Sequence, residues 1–155
     1  VRVCGREKIR EENGVTTIIC DSNGMAADKL ITDGCTKDTT CKIVRINGSL
    51  FGLAGDIAQS QRLLKYVCNH RDEDEYDDAL VSEACILRLY DSSIVKLYNG
   101  SMYGIIITSR VAAIGSGASA ALAAYACGKT IVECVEIAAK IDLYTGGGVD
   151  YLERL

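Results

Sequence analysis

The sequence has a single histidine, His70, and no CxxC pair among its eight cysteines. A zinc site draws three or four nitrogen and sulfur ligands from short spacings, so metal binding lacks partners here and no metal or other cofactor is expected. Cys4, Cys20, Cys35, Cys41, Cys68, Cys85, Cys127 and Cys134 lie mostly inside apolar stretches such as TTIIC and VECVEIAA. They read as buried free thiols, which behave as small hydrophobes, rather than as a disulfide framework. No apolar run approaches the roughly 18 residues of a spanning helix, so no membrane partner is expected. The first fifteen residues, VRVCGREKIREENGV, lack the apolar stretch of a secretory signal, and the expected location is the cytosol. The net charge of -4 and the lack of a basic stripe argue against a nucleic-acid partner. There are no internal repeats and no linker that would divide the chain.

What is present is a globular composition. The 155 residues are 48% apolar and 25% charged, which suits one domain with a real core. Residues 1–14 are polar and without period, as in a tail outside the fold. From Thr16 the pattern turns to strand. Residues 16–20 form an apolar run, SNG makes a turn, and residues 25–27 return. Residues 41–46 and 49–53 flank Asn47-Gly48, the signature of a two-residue hairpin. Ile57, Leu64, Val67 and Cys68 then recur at helical spacing and predict a helix over residues 56–70. The run RDEDEYDD (71–78) reads as a solvated loop, with His70 an exposed helix-end residue beside it.

Three antiparallel strands are predicted at 86–90, 94–98 and 103–108, with a fourth short one at 112–114. Two helices follow. The first, 118–127, is very rich in alanine and suited to close packing; the second runs to about residue 141 from the capping-box pair Thr130 and Glu133. TGGG (145–148) breaks the chain before a closing strand at 149–152. Strands and helices in blocks, not in strict alternation, indicate a layered α+β fold with an antiparallel sheet.

Four segments carry candidate chemistry, and each also has a plain structural reading. Thr-Thr before an apolar run is good strand composition, and Lys42 suits an exposed strand start. GSG (115–117) suits a turn and helix cap. With Ala120 it has the shape G-x-G-x-x-A, but the flanking order is not βαβ and no ribose-binding acid is placed, so nucleotide binding is not expected.

Taken together, the segments resemble the proteasome β-type family of N-terminal-nucleophile hydrolases, its HslV-like peptidases most closely, from residue 16 to about residue 155. TTII (16–19) looks like the family's mature amino terminus, AAD (26–28) stands where its lysine-holding aspartate stands, and KIVRI (42–46) supplies the lysine. LAGDIA (53–58) looks like its strand-to-helix corner, AIGSG (113–117) its serine-bearing turn, and DLYTGGG (142–148) the stretch that supports the threonine.

The resemblance implies a single domain over residues 16–155 with a four-layer α-β-β-α sandwich of two antiparallel sheets. It implies Thr16 as nucleophile, Asp28 and Lys42 as a buried pair beside it, and the Gly55 N–H as an oxyanion donor. Ser116, Asp142 and Thr145 would orient the threonine amine or a bound water. Thr32 would hydrogen-bond an extended peptide, and Leu53 would face the pocket for the residue before the cut, favouring apolar side chains. The implied activity is a threonine endopeptidase acting on peptides or unfolded proteins inside a ring-shaped homo-oligomer, with an ATP-dependent unfoldase as possible partner. A non-catalytic scaffold of the same fold and a small-molecule amidase are the competing readings. The intact set Thr16, Asp28 and Lys42 argues against the scaffold.

Two features depart from the family pattern. Only about eight residues (78–85) remain for the second of its paired central helices, which help two rings meet, so a single ring or an unusual ring contact is expected. Thr16 also follows fifteen residues, and a peptide bond on its nitrogen removes the amine base. Residues 1–15 are expected to be a pro-segment removed by self-cleavage, or upstream sequence with Val15 as a GTG start.

Overall fold

The computed structural model describes residues 16–32, 36–69 and 76–155. The expectations for residues 1–15, for Cys35, for His70 and for the charge run through residue 75 fall outside these.

Short runs of apolar residues, buried on both faces, set the first two strands, β1 (Ile18–Asp21) and β2 (Gly24–Asp28). Ile18, Cys20, Met25 and Ala27 point one way into a core between two sheets, whereas Ile19 and Ala26 point the other way under helices. The hairpin β3 (Leu30–Thr32) and β4 (Lys37–Thr39) stands apart as a two-stranded sheet. Next come β5 (Ile43–Ile46) and β6 (Ser49–Gly55), joined through Asn47 (φ 48) and Gly48 (φ 82), the left-handed pair that a tight hairpin demands. Helix α1 (Ile57–Asn69) and a 3-10 turn (Asp78–Val81) lead into β7 (Ala84–Leu89), β8 (Val95–Asn99) and β9 (Ile105–Ile107). The chain then crosses back through β10 (Val111–Ile114), α2 (Ala118–Ala126), α3 (Ile131–Ile141) and β11 (Val149–Glu153).

The strands form a four-stranded sheet, β10-β1-β2-β11, and a five-stranded sheet, β5-β6-β7-β8-β9, antiparallel throughout. Ile18, Met25, Leu50, Leu87 and Leu89 fill the space between them. Truncating any one to alanine is expected to cost about 2–5 kcal/mol. Leu63 of α1 packs with Phe51, Ile86 and Tyr98 on the outer face of the five-stranded sheet. Ala121 and Ala124 of α2 and Cys134, Val135 and Ala138 of α3 cover the outer face of the other, where small side chains let the helices lie close. The capping box at α3 is closed: the Thr130 hydroxyl accepts the Glu133 N–H and the Glu133 carboxylate accepts the Thr130 N–H, each at 3.2 Å. The architecture is a four-layer α-β-β-α sandwich.

Three sequence expectations need correction. The strand expected from Thr16 begins two residues later, at Ile18. The short strand near residue 112 is not a fourth member of the 84–107 sheet; β10 pairs with β1, matching Ile18 to Ile114. The β3–β4 hairpin has no sequence signature, because β3 is three half-buried residues and β4 is polar and fully exposed, leaving no buried alternation to read. Where about eight residues are expected for a shortened partner helix, the described residues carry a 3-10 turn, Asp78–Val81, ahead of β7.

Candidate active site

Thr16 and Thr17 enter the sandwich just ahead of β1, and both are buried. Their position follows from the register of the four-stranded sheet. With Ile18 opposite both Ala27 and Ile114, the residues before β1 lie between Asp28, at the end of β2, and the turn after β10. The Asp28 carboxylate, wholly buried, collects four donors there. Oδ1 accepts from the Thr16 hydroxyl at 2.7 Å, the Lys42 ammonium at 2.8 Å and the Thr17 N–H at 3.0 Å. Oδ2 accepts the Gly146 N–H at 3.1 Å. A buried carboxylate is stable only when paired and hydrogen-bonded, and Asp28 is both.

Lys42 reaches this carboxylate from the start of β5 and is itself buried. Burial lowers the pKa of its ammonium, while the charge and hydrogen bond of Asp28 and the charge of Asp142 oppose that shift. The plain alternative for Lys42, an exposed strand-start lysine, is thereby set aside.

A second group of residues lies beyond Thr16. The Thr16 carbonyl accepts the Gly117 N–H at 3.3 Å, and the Ser116 hydroxyl oxygen lies 3.4 Å from it. Ser116 gives its one hydroxyl proton to Asp142 Oδ2 at 2.5 Å, and Thr145 donates to the same oxygen at 2.7 Å. A Cβ on Gly115 would fall 2.0 Å from the Thr16 carbonyl oxygen, and its φ of +97 is itself a glycine conformation.

A cavity of about 330 Å³ opens on the other side of Thr16. Thr16, Lys42, Thr32, Leu53 and Gly55 line it, so five of the nine residues expected from the sequence share one opening. Ile31, Ala54 and Ile57 add apolar wall. Ser116, Asp142 and Thr145 are not part of this lining; Ser116 lies against the Thr16 carbonyl, Thr145 against the Thr17 hydroxyl, and Asp142 joins the two. The Thr32 hydroxyl is buried and has no hydrogen-bond partner among the described residues. A larger depression of about 720 Å³ around Asp21, Arg110, Tyr125 and Lys129 lies at the far end of β1 and touches none of these groups.

Sequence reasoning missed two participants. Thr17 was read only as strand composition, yet its N–H and hydroxyl are both engaged. Gly146 falls within the TGGG break and the DLYTGGG stretch without a role of its own, yet its N–H binds Asp28 and its carbonyl accepts from Lys29 and Leu30. Backbone donors leave no mark on residue type, and no sequence signal pointed to Gly146.

No protein-family model matches the sequence, and no curated protein matches it either. Solved structures do. Eukaryotic HslV from Trypanosoma brucei aligns with a TM-score of 0.70 at 21% identity, covering 89% of this chain and 97% of that one. BPH from Thiobacillus denitrificans aligns at 0.66 with 19% identity, covering 90% and 98%. The same protein in complex with epoxomicin aligns at 0.64 with 19% identity over the same shares. Over about nine-tenths of its length the chain has the same fold as HslV and BPH, the four-layer α-β-β-α sandwich described above.

Proposed function

We propose that this protein is a threonine peptidase of the proteasome type, with Thr16 as nucleophile. The observation that carries the reading is the convergence of the Thr16 hydroxyl and the Lys42 ammonium on one buried Asp28 oxygen beside a cavity. A scaffold has no use for a buried ion pair at a strand end, since hydrophobic replacements are often at least as stable.

The chemistry requires that the residues before Thr16 be absent, either as a removed pro-segment or as upstream sequence. The freed α-amine has an ordinary pKa of about 7.7–8, so about a tenth of it is neutral at pH 7. The nearby Lys42 charge disfavours its protonated form and increases that fraction. The Thr16 hydroxyl then turns from Asp28 toward the amine and gives up its proton as Oγ attacks the substrate carbonyl carbon. The Gly55 N–H holds the oxyanion, a contribution of about 3 kcal/mol for one such donor. The amine returns the proton to the leaving nitrogen, and an ester on Thr16 remains. Water, deprotonated by the same amine, hydrolyses that ester.

An extended peptide fits the opening. Thr32 sits in its wall on β3 with an unpartnered hydroxyl, and Ile31, Leu53, Ala54 and Ile57 suit an apolar side chain before the cleaved bond. The exposed Ile105, Ile106 and Leu143 support association of copies into a homo-oligomer, which would enclose the site in the cytosol. An ATP-dependent unfoldase would then supply unfolded chains.

The direct test uses intact mass with and without epoxomicin, the compound bound in one BPH structure. One added epoxomicin on a chain beginning at Thr16, absent in Thr16→Ala, supports the reading. A purified chain that begins at Thr16 and takes up no epoxomicin while failing to cleave peptides sinks it.

A further inference from the structure

The second threonine, Thr17, takes no part in the chemistry just proposed, yet it is fully buried and does not line the cavity. Its hydroxyl lies 2.8 Å from the Thr145 hydroxyl. The direction of that bond follows from proton counting. Thr145 has one hydroxyl proton and donates it to Asp142 Oδ2 at 2.7 Å, so Thr17 must be the donor to Thr145. A directed chain results, Thr17 to Thr145 to Asp142, met from the other side by Ser116, whose neighbour Gly117 gives its N–H to the Thr16 carbonyl. Such chains polarise in one sense and strengthen each bond.

The turn after β10 is shaped around this hydroxyl. A Cβ at position 117 would stand 2.0 Å from Thr17 Oγ1 and 3.0 Å from Thr145 Oγ1. The second glycine of GSG therefore makes room for the Thr17–Thr145 bond, while the first makes room for the Thr16 carbonyl.

We infer that Thr17 is a positioning residue for the proposed reaction: its hydroxyl locks the Asp142–Thr145 turn, which holds Ser116 and so the adjoining Gly117 N–H that binds the Thr16 carbonyl beside the cavity. The inference rests on the peptidase reading. Thr17 is tied to Thr16 through backbone as well, since the Thr17 N–H binds the same Asp28 oxygen that holds the Thr16 hydroxyl. Loss of the side-chain hydroxyl would leave that backbone bond and the cavity wall intact. It would free the turn behind the nucleophile, so the bound substrate would be held as before while the reacting oxygen wandered.

The test compares Thr17→Val, which keeps the shape and loses the hydroxyl, with Thr17→Ser, which keeps the hydroxyl, in chains beginning at Thr16. Steady-state hydrolysis of a fluorogenic peptide is measured together with thermal melting. The expected result is a fall in kcat of roughly three- to tenfold for Thr17→Val, the worth of one hydrogen bond, at unchanged KM. Thr17→Ser recovers most of it, and both melt near the parent. A kcat for Thr17→Val equal to the parent's overturns the assignment with the peptidase reading intact. So does a loss shared equally by Thr17→Ser, or one that tracks a lowered melting temperature, because either marks a packing role. An inactive parent chain of the correct mass removes the reaction, and the assignment with it.

Discussion

The Lys42 ammonium stands 2.8 Å from Asp28 Oδ1, with 7% of the lysine side chain and none of the aspartate exposed to solvent. A pair so enclosed is held by its own geometry and by the further donors on Asp28, and removing one member strands the other. Asp28→Ala is expected to destabilise the fold by about 3–5 kcal/mol, read from denaturant unfolding. Lys42→Ala should reduce peptide hydrolysis nearly as far as loss of the threonine. Lys42→Arg should not restore it, because the forked guanidinium does not fit a site built for a point charge.

The lowered pKa of Lys42 has a sign that can be checked. The unfolded chain, with its lysine at the ordinary 10.5, binds more protons at this group than the folded chain does between the two values. Stability from Lys42 therefore rises with pH across the window from its folded pKa up to 10.5, and is lost as pH falls through the folded pKa. Cys20 and Cys85, pushed up to about 12 and about 11 by burial, act in the opposite sense above pH 9. The stability difference between the parent and Lys42→Met cancels the two thiols and reports the lysine together with the Asp28 it leaves unpaired. That difference should move in the parent's favour from pH 7 to pH 10; a flat or falling difference contradicts the assigned shift.

Gly115 tests the turn against Thr16. Its positive φ and the 2.0 Å approach of a Cβ to the Thr16 carbonyl leave no accommodation except movement of the backbone at the nucleophile. Gly115→Ala should cost at least about 1–3 kcal/mol from the conformation alone and should abolish hydrolysis. A crystal structure with Thr16 unmoved and the variant fully active would contradict this.

Specificity should follow the cavity wall. Ile31, Leu53, Ala54 and Ile57 present apolar surface, so leucine before the cleaved bond should exceed aspartate in kcat/KM by at least roughly tenfold. Leu53→Arg should narrow or reverse that ratio, measured with a matched pair of fluorogenic peptides.

Much of this was legible in the sequence, for reasons that differ by residue. The hairpin at Asn47-Gly48 and the capping box at Thr130 have local signatures, and both formed as read. Thr16, Asp28, Lys42, Leu53 and Gly55 are what the family resemblance implies; in the structure Thr16 and Lys42 meet on Asp28, and Thr16, Lys42, Leu53 and Gly55 line one cavity. The assignment of β10 to the opposite sheet was not legible, because a three-residue apolar run carries no information about its partner. The roles of Gly146 and Gly117 depend on where a backbone N–H points and on what an added methyl would strike, and residue type encodes neither.

The central claim is that the base is the α-amine of Thr16, and one comparison reaches it directly. Peptide hydrolysis is measured for a chain beginning at Thr16 and for the uncut chain beginning at Val1, each verified by intact mass before and after the assay, with Thr16→Ala and Thr16→Ser alongside. The account predicts activity for the Thr16 chain, part of it retained in Thr16→Ser and none in Thr16→Ala, and an inactive uncut chain. Equal rates from an uncut chain that stays uncut would contradict it, since a nitrogen in a peptide bond cannot take the hydroxyl proton.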